Sequence, residues 1–248
     1  MTSPLIILHR RNRIDQLKDL PAGCWVEVDV DLRDGVACVG HDSMAGQPVL
    51  TLEDYLTHAI KRGVTGFAFD CKREHAEKAV QPLLSAHKIV DYFYLNEIET
   101  VADRFLAVSR DHRSAIRVWQ YHGAYDVIRY AGDMKAETQS FPGWVWVDCW
   151  RRGLIEDIGN AFIPLSQSDA QKLHQLGVKL CICSPELYAH DYDKTYTPDE
   201  LQAIYRGVVA YRHSLIKNGI SFAAVCTKFP WLWIKDIDPL LSAKELGA

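Results

Sequence analysis

Short runs of alternating or continuous apolar residues recur along the chain, and stretches with helical spacing separate them. The runs are rich in Val, Ile, Phe, Tyr and Trp, which is typical of strands. They predict eight strands, at residues 5–9, 24–31, 66–72, 91–96, 114–121, 144–150, 179–184 and 223–228. A further short extended segment, residues 36–40, follows a predicted turn at Asp34-Gly35.

The intervening stretches predict helices at 51–63, 73–87, 97–111, 123–131 and 197–218. The last of these begins with Thr197-Pro198-Asp199-Glu200, which combines an N-cap Thr, Pro at the first helical position and the Glu of a capping box. Strands that alternate with helices require parallel pairing and right-handed crossovers. Eight such units in 248 residues predict a single-domain (β/α)8 TIM barrel. An open doubly wound sheet is the alternative, but no GxGxxG follows the first strand and no P-loop motif occurs.

Composition and charge narrow the function classes. Hydrophobic residues make up 48% and charged residues 24%, which is typical of a globular protein and excludes a disordered chain. Because 28 basic residues face 32 acidic ones, nucleic-acid binding is not expected. No apolar run approaches the roughly 20 residues of a membrane-spanning helix. The seven cysteines form no CxxC motif and lie mostly in strand-like runs, which predicts reduced core thiols and a soluble cytoplasmic protein.

The second predicted strand has an acidic face. Glu27, Asp29 and Asp31 alternate with valines, so their carboxylates point to the same side of the strand. Buried carboxylates without partners are costly, and a hard divalent cation such as Mg²⁺ or Ca²⁺ removes that cost because it prefers carboxylate oxygens. A salt-bridged or solvated edge strand is the alternative, and an ExD pattern by itself more often has that origin.

More polar residues fall at neighbouring strand ends. Asp70 and Lys72 share a face of the third strand, where Lys72 is a candidate for holding a phosphate. His9 closes the first strand, and His41 follows the 36–40 segment. Active sites of these barrels lie at the carboxyl ends of the strands, and two histidines beside a metal suit general acid–base cleavage of a phosphodiester. Each residue alone is more often structural, but their convergence favours a site.

Several short motifs follow one another in the order His9-Arg10, Glu27-Val28-Asp29, Asp34-Gly35, His41-Asp42, Asp70-Cys71-Lys72 and Val225-Cys-Thr-Lys-Phe-Pro230. Together they resemble the glycerophosphodiester phosphodiesterase family, in the superfamily of phosphatidylinositol-specific phospholipase C-like phosphodiesterases. The Asp-x-Lys form of the third strand is similar to that of sphingomyelinase D relatives. The resemblance brackets residues 9–230.

This resemblance implies a phosphoric diester hydrolase with one divalent cation, Mg²⁺ or Ca²⁺, held by Glu27, Asp29 and Asp70. It implies that His9 and His41 are the acid–base pair, and it places Arg10 and Lys72 on the phosphate. Two alternatives stay open. The same residues act as a lyase if a substrate hydroxyl attacks phosphorus and leaves a cyclic phosphate, or the barrel binds a phosphorylated ligand without catalysis.

Two departures from the family bear on the substrate. Only eight residues separate Asp42 from Thr51, where the family usually has an inserted small domain. Lys228 stands where the family usually has Asp, which makes the expected site more basic there and makes Lys228 a candidate for binding the phosphate or the substrate. The expected substrate is therefore a small-molecule phosphodiester that is glycerophosphodiester-like, a lipid head group or a sugar phosphodiester, without glycerol selectivity.

Further candidates for substrate binding lie on later strands. Arg117 and Tyr121 share one face, and Trp146 shares another with Trp144, Trp150 and Asp148. Their indoles either line a pocket for a sugar or choline-like group or fill the core. Glu186, which follows the seventh strand, is a candidate for holding a substrate hydroxyl, and residues 186–196 form either a loop over the site or a solvated loop.

Overall fold

A computed structural model describes residues 4–18, 20–21, 23–40, 49–73, 76–96, 114–118, 127–129, 132, 143–149, 163–188 and 195–234. The strands within this part of the chain are β1 (Leu5–Leu8), β2 (Trp25–Arg33), β3 (Val36–Val39), β4 (Gly66–Cys71), β5 (Tyr92–Asn96), β6 (Ser114–Val118), β7 (Trp144–Val147), β8 (Lys179–Cys183) and β9 (Ala224–Thr227). The helices are α1 (Leu52–Lys61), α2 (Ala76–Ala86), α3 (Gln167–Gln175), α4 (Pro198–Lys217) and α5 (Trp231–Ile234). Two 3₁₀ turns lie at Ile14–Leu17 and Pro185–Tyr188.

Eight of the strands form a parallel barrel. The strand order is β1-β9-β8-β7-β6-β5-β4-β2, and β1 also pairs with β2 in parallel, which closes the sheet. The chain therefore has the (β/α)8 TIM-barrel fold that the alternation of strands and helices predicts. The strand β3 is an addition to the predicted eight. It pairs with the last part of β2 in an antiparallel hairpin whose turn residues, Asp34 and Gly35, both have positive φ, as a two-residue turn of this kind requires.

Side-chain caps define where the helices begin. Thr197 accepts a hydrogen bond from the Glu200 backbone and completes the predicted capping box of α4. Thr51 caps α1 in the same way, through the backbone of Asp54. The helix α3 was not predicted, although Ser166 caps it through the backbone of Asp169. Of the helices predicted at 97–111 and 123–131, the first lies outside the described residues and the second is described, as helix, only at 127–129.

The described residues group into two compact units. The first comprises Ile7–Ile116 and Pro142–Trp144. Its aromatic core contains Trp25, Phe93 and Trp144, whose ring centroids lie 5.0 to 6.0 Å apart. Gly66 pairs with Trp25 across β2 and β4, and a Cβ atom there would lie 2.2 Å from the Trp25 indole. Because Gly66 has no side chain, the Trp25 indole can pack directly against the backbone at this position.

The second unit comprises the described residues within Met1–Ile6, Arg117–Phe141 and Val145–Ala248. Its core includes the paired strands β8 and β9 and the long helix α4, which buries Tyr211.

All seven cysteines of the chain are buried free thiols, as predicted, and burial raises the pKa of several of them, including Cys71 and Cys183. Among the described helices, none combines the length and apolar character needed to cross a membrane. The single-domain organisation stays a prediction from chain length.

Candidate active site

Three buried carboxylates meet where β2 and β4 run side by side. The alternation along β2 puts Glu27 and Asp29 on one face, and the register of the parallel pair places Asp70 directly opposite Asp29. One carboxylate oxygen from each of the three residues lies within 4.8 Å of the others. They are exposed by only 1%, 0% and 4% respectively, so solvent cannot screen their mutual repulsion. The structure thus brings together the three acids that the sequence singled out as metal ligands.

Two cationic side chains offset part of this negative charge. Lys72 Nζ lies 2.7 Å from Asp70 Oδ2 and 3.1 Å from Asp29 Oδ1. Arg10 Nε lies 3.6 Å from Asp29 Oδ2. Both residues were predicted to hold the phosphate, and here they also face the carboxylates. Because they are two against three acids, the cluster favours either one protonated carboxyl or an additional cation.

Glu27 is the acid that the cluster leaves protonated near neutral pH. Burial, together with the negative charges of Asp29 and Asp70, raises the pKa of Glu27 to about 8, although the Lys72 ammonium lowers it in part. Asp29 Oδ1 is buried, and Lys72 Nζ at 3.1 Å is the cationic group that faces it among the described residues. Three converging carboxylates with such an oxygen fit a hard divalent cation, which would take oxygen ligands and remove the reason for protonation.

The loop that follows β1 is fastened to β2 by four hydrogen bonds. Arg10 N donates to Glu27 Oε2 over 2.6 Å, and Arg11 N donates to the Glu27 carbonyl over 3.0 Å. Asn12 makes the other two, both to Asp29. Arg10 has φ of 46°, a left-handed conformation that non-glycine residues seldom adopt and that is enriched at functional sites. Sequence reasoning missed Asn12, and only its position three residues after His9 hints at a role.

The predicted acid–base pair is described in part. His9 directly follows β1, and its Nε2 lies 3.8 Å from Glu27 Oε2. His41 lies outside the described residues, as does Tyr121. The residue before His41 is placed, however, because Gly40 N donates to the Asp29 carbonyl over 3.1 Å. Gly40, the last described residue before His41, is thus bonded to the backbone of Asp29, which is a predicted metal ligand.

In the second unit, the Asp148 carboxylate contacts one guanidinium and two hydrogen-bond donors. Arg117 Nε lies 3.2 Å from Asp148 Oδ2, while Trp146 Nε1 donates to Asp148 Oδ1 over 2.9 Å and Cys183 Sγ to the same oxygen over 3.3 Å. Trp146 is 2% exposed and Arg117 is about a quarter exposed at its side chain. The predicted residues Arg117, Trp146 and Asp148 therefore form one cluster, in which the buried carboxylate holds the guanidinium.

Glu186 has a structural environment. Its carboxylate is fully buried and accepts hydrogen bonds from the Ser184 hydroxyl, from Thr227 Oγ1 over 2.5 Å and from Lys228 N over 3.0 Å. Burial raises the pKa of Glu186, and these hydrogen bonds lower it in part. The carboxylate ties the end of β8 to the end of β9 and fixes the backbone at Lys228.

Comparisons with known proteins agree with the fold. The chain is similar to a glycerophosphoryl diester phosphodiesterase from Parabacteroides distasonis, with 16% identity, 98% of this chain and 90% of that chain covered, and a TM-score of 0.57. It is also similar to a glycerophosphodiester phosphodiesterase from Agrobacterium tumefaciens, with 14% identity, 93% and 99% covered, and a TM-score of 0.55. No protein-family model and no curated protein matches the chain. At these identities the likeness establishes the shared fold.

Proposed function

We propose that the chain is a metal-dependent phosphoric diester hydrolase of the glycerophosphodiester phosphodiesterase family. The observation that supports this most directly is the convergence of Glu27, Asp29 and Asp70, with one oxygen of each within 4.8 Å of the others, beside Lys72. The family motifs of the sequence and the fold shared with two such phosphodiesterases point the same way.

Glu27, Asp29 and Asp70 would hold one divalent cation, Mg²⁺ or Ca²⁺. When bound, the cation supplies positive charge that polarises the phosphoryl group and stabilises the charge that develops on its oxygens. Lys72 and Arg10 add fixed positive charge for the non-bridging oxygens of the diester. Lys72 is held in place for this by its contacts with Asp70 and Asp29.

His9 and His41 move the protons of the reaction. One imidazole accepts a proton from the attacking water as the new O–P bond forms, and the other donates a proton to the alcohol oxygen as its P–O bond breaks. His9 Nε2 faces Glu27 at 3.8 Å, so a ring N–H at that position is oriented by a negative charge when Glu27 is ionised. The diester and one water molecule are thereby converted to a phosphomonoester and an alcohol, and no other reactant is consumed.

The substrate side rests on residues of later strands. We assign Arg117 to an anionic or polar group of the substrate, because Asp148 fixes its guanidinium while part of the side chain stays exposed. Tyr121, Trp146 and Lys228 remain predicted substrate contacts. A lipid head group or a sugar phosphodiester suits this set as well as a glycerophosphodiester does.

A metal-by-substrate screen tests the proposal. Purified protein is incubated with Mg²⁺, Ca²⁺ or a chelator and with glycerophosphodiesters, lysophospholipids, sugar phosphodiesters and a chromogenic diester. We expect metal-dependent turnover that falls about 10²- to 10⁴-fold in His9→Ala, the usual contribution of a general acid or base. The matched control is His174→Ala, because His174 is an exposed histidine of α3 whose ring bonds the backbone carbonyl of Ser221.

Phosphorus NMR of the product separates the two chemical alternatives. A phosphomonoester supports hydrolysis, whereas a cyclic phosphate assigns the same residues to a lyase. If the protein turns over no diester and binds neither metal with a dissociation constant in the millimolar range or tighter, the proposed enzymatic function is wrong. The alternative is then a barrel that binds a phosphorylated ligand without catalysis.

A further inference from the structure

One edge of β2 is covered by three different parts of the chain. Strand β1 pairs with β2 at Trp25 and Val26, and β3 pairs with it from Val30 onward. Glu27 and Asp29 lie between these two paired stretches. Their backbone groups on this edge need other partners, because unpaired buried peptide groups are costly.

The loop after β1 supplies partners for the Glu27 carbonyl and for the Asp29 amide, whereas Gly40 N, which follows β3, donates to the Asp29 carbonyl. Arg11 N donates to the Glu27 carbonyl as a strand would. At Asp29, the Asn12 side chain replaces the backbone, and Asn12 Oδ1 accepts from Asp29 N over 3.0 Å. The same amide then reaches the Asp29 side chain, where Asn12 Nδ2 donates to Oδ2 over 2.6 Å.

The chemistry of these two bonds selects an amide. The Asp29 backbone offers a donor and the Asp29 carboxylate offers an acceptor, so a single partner must accept at one atom and donate at the next. A carboxylate in place of Asn12 has no proton to donate, and an aliphatic side chain makes neither bond. Asn12, and Arg10 at 3.6 Å, engage Oδ2, so the buried Oδ1, which lies 3.1 Å from Lys72 Nζ, is the Asp29 oxygen that Asn12 leaves for a cation.

We propose that Asn12 is a positioning residue of the metal site, which fixes the Asp29 carboxylate so that Oδ1 is presented to the cation. This role rests on the proposed function, because it needs a cation at Glu27, Asp29 and Asp70. Asn12 does not touch the cation itself. It acts through Asp29, whose side-chain rotamer it fixes because the Asn12 amide bonds both the backbone N–H and the carboxylate of Asp29.

Calorimetric titration of the full chain with MgCl₂ and with CaCl₂ tests the role. Asn12→Ala is expected to weaken metal binding about 10- to 100-fold, as loss of an outer hydrogen-bond partner usually does. Activity should need correspondingly more metal, and kcat at saturating metal should return to within a few-fold of the original. The control, Asn218→Ala, removes another asparagine that bonds Ser214 at a helix end, and it should leave the metal dissociation constant unchanged.

Thermal unfolding without metal separates positioning from a purely structural role. If Asn12→Ala lowers the unfolding midpoint but binds both metals as tightly as the original protein, the proposed role is wrong. If the original protein binds neither metal, the metal site itself fails, which is a different outcome. Should Asn12→Ala not fold, Asn12→Ser keeps a hydroxyl that is too short to bridge both groups, and it is held to the same two criteria.

Discussion

Metal binding near neutral pH is expected to expel a proton from Glu27. Burial and two neighbouring carboxylates raise the pKa of Glu27 to about 8 in the metal-free protein, whereas a metal ligand must be ionised. With that pKa, about nine in ten Glu27 side chains are protonated at pH 7, and binding releases about 0.9 protons. The number falls to about one half at pH 8 and about 0.1 at pH 9. Metal affinity therefore rises about tenfold per pH unit below pH 8 and levels off above it.

The same shift affects the stability of the metal-free protein. Because the folded pKa of Glu27 lies above the ordinary value of 4.5, its contribution is fully present below pH 4.5 and is lost as the pH rises through about 8. The difference between the two pKa values corresponds to a loss on the order of 5 kcal/mol across this window. Saturating metal should remove most of this pH dependence, because it holds Glu27 ionised in the folded state.

Calorimetric titration in two buffers with different ionisation enthalpies counts the released protons directly. Glu27→Gln should bind the metal more weakly and without the proton release that is centred near pH 8. The matched control is Glu53→Gln, which changes an exposed carboxylate in α1 and should leave the proton count as it was. Affinity that is flat from pH 6 to pH 9, with no proton released at pH 7, would refute the reasoning, because Glu27 would then be ionised without a metal.

Two substitutions test the surroundings of the cluster. Lys72→Met removes a cation that lies 2.7 Å from Asp70 and 3.1 Å from Asp29, and breaking such buried pairs should lower the metal-free free energy of unfolding by about 3 kcal/mol. Urea unfolding measures this loss, which metal should reduce; an unchanged midpoint without metal contradicts the buried pairing. Gly66→Ala places a Cβ atom 2.2 Å from the Trp25 indole and should cost about 1–3 kcal/mol through overpacking. Urea unfolding followed by tryptophan fluorescence checks it, and a variant as stable as the original shows that the indole can move at no cost.

Much of the acid cluster was accessible from sequence because it depends on local periodicity. The alternation along β2 predicted that Glu27 and Asp29 share a face, and the convergence of strand ends brought Asp70 to the same place. The (β/α)8 fold followed from the same alternation of strands and helices. Both inferences need only the period of a strand and the parallel pairing of neighbours.

Other features depend on registers and strand ends that the sequence does not specify. Asn12 has its role because β1 stops one residue before His9, so that the following loop crosses β2 at Asp29. Trp144 packs on Trp25 and Phe93, which supports core filling over a ligand pocket, and this outcome depends on how far along the barrel each strand is shifted. The pattern alone could not separate these two outcomes.

Glu186 shows a second limit of sequence reasoning. It was a candidate for a substrate hydroxyl, but Ser184 and Thr227 engage its carboxylate. The helix α3 was missed for a related reason. Only Ala170 and Leu173 of this short helix are buried, so its apolar face is too narrow to stand out from its polar residues.

The rates at which the buried cysteines react with a labelling reagent measure how often their surroundings open. Only a thiolate reacts with alkylating or disulfide reagents, and burial with a raised pKa suppresses thiolate at Cys71 in one unit and at Cys183 in the other. Each cysteine therefore becomes labelled at the rate at which its surroundings open. Because Cys71 stands between Asp70 and Lys72, its labelling rate registers fluctuations of the carboxylate cluster, while Cys183 registers those of the Asp148 cluster. Peptide mass spectra taken at several times during labelling then give the opening rates of both regions without any substitution in the chain.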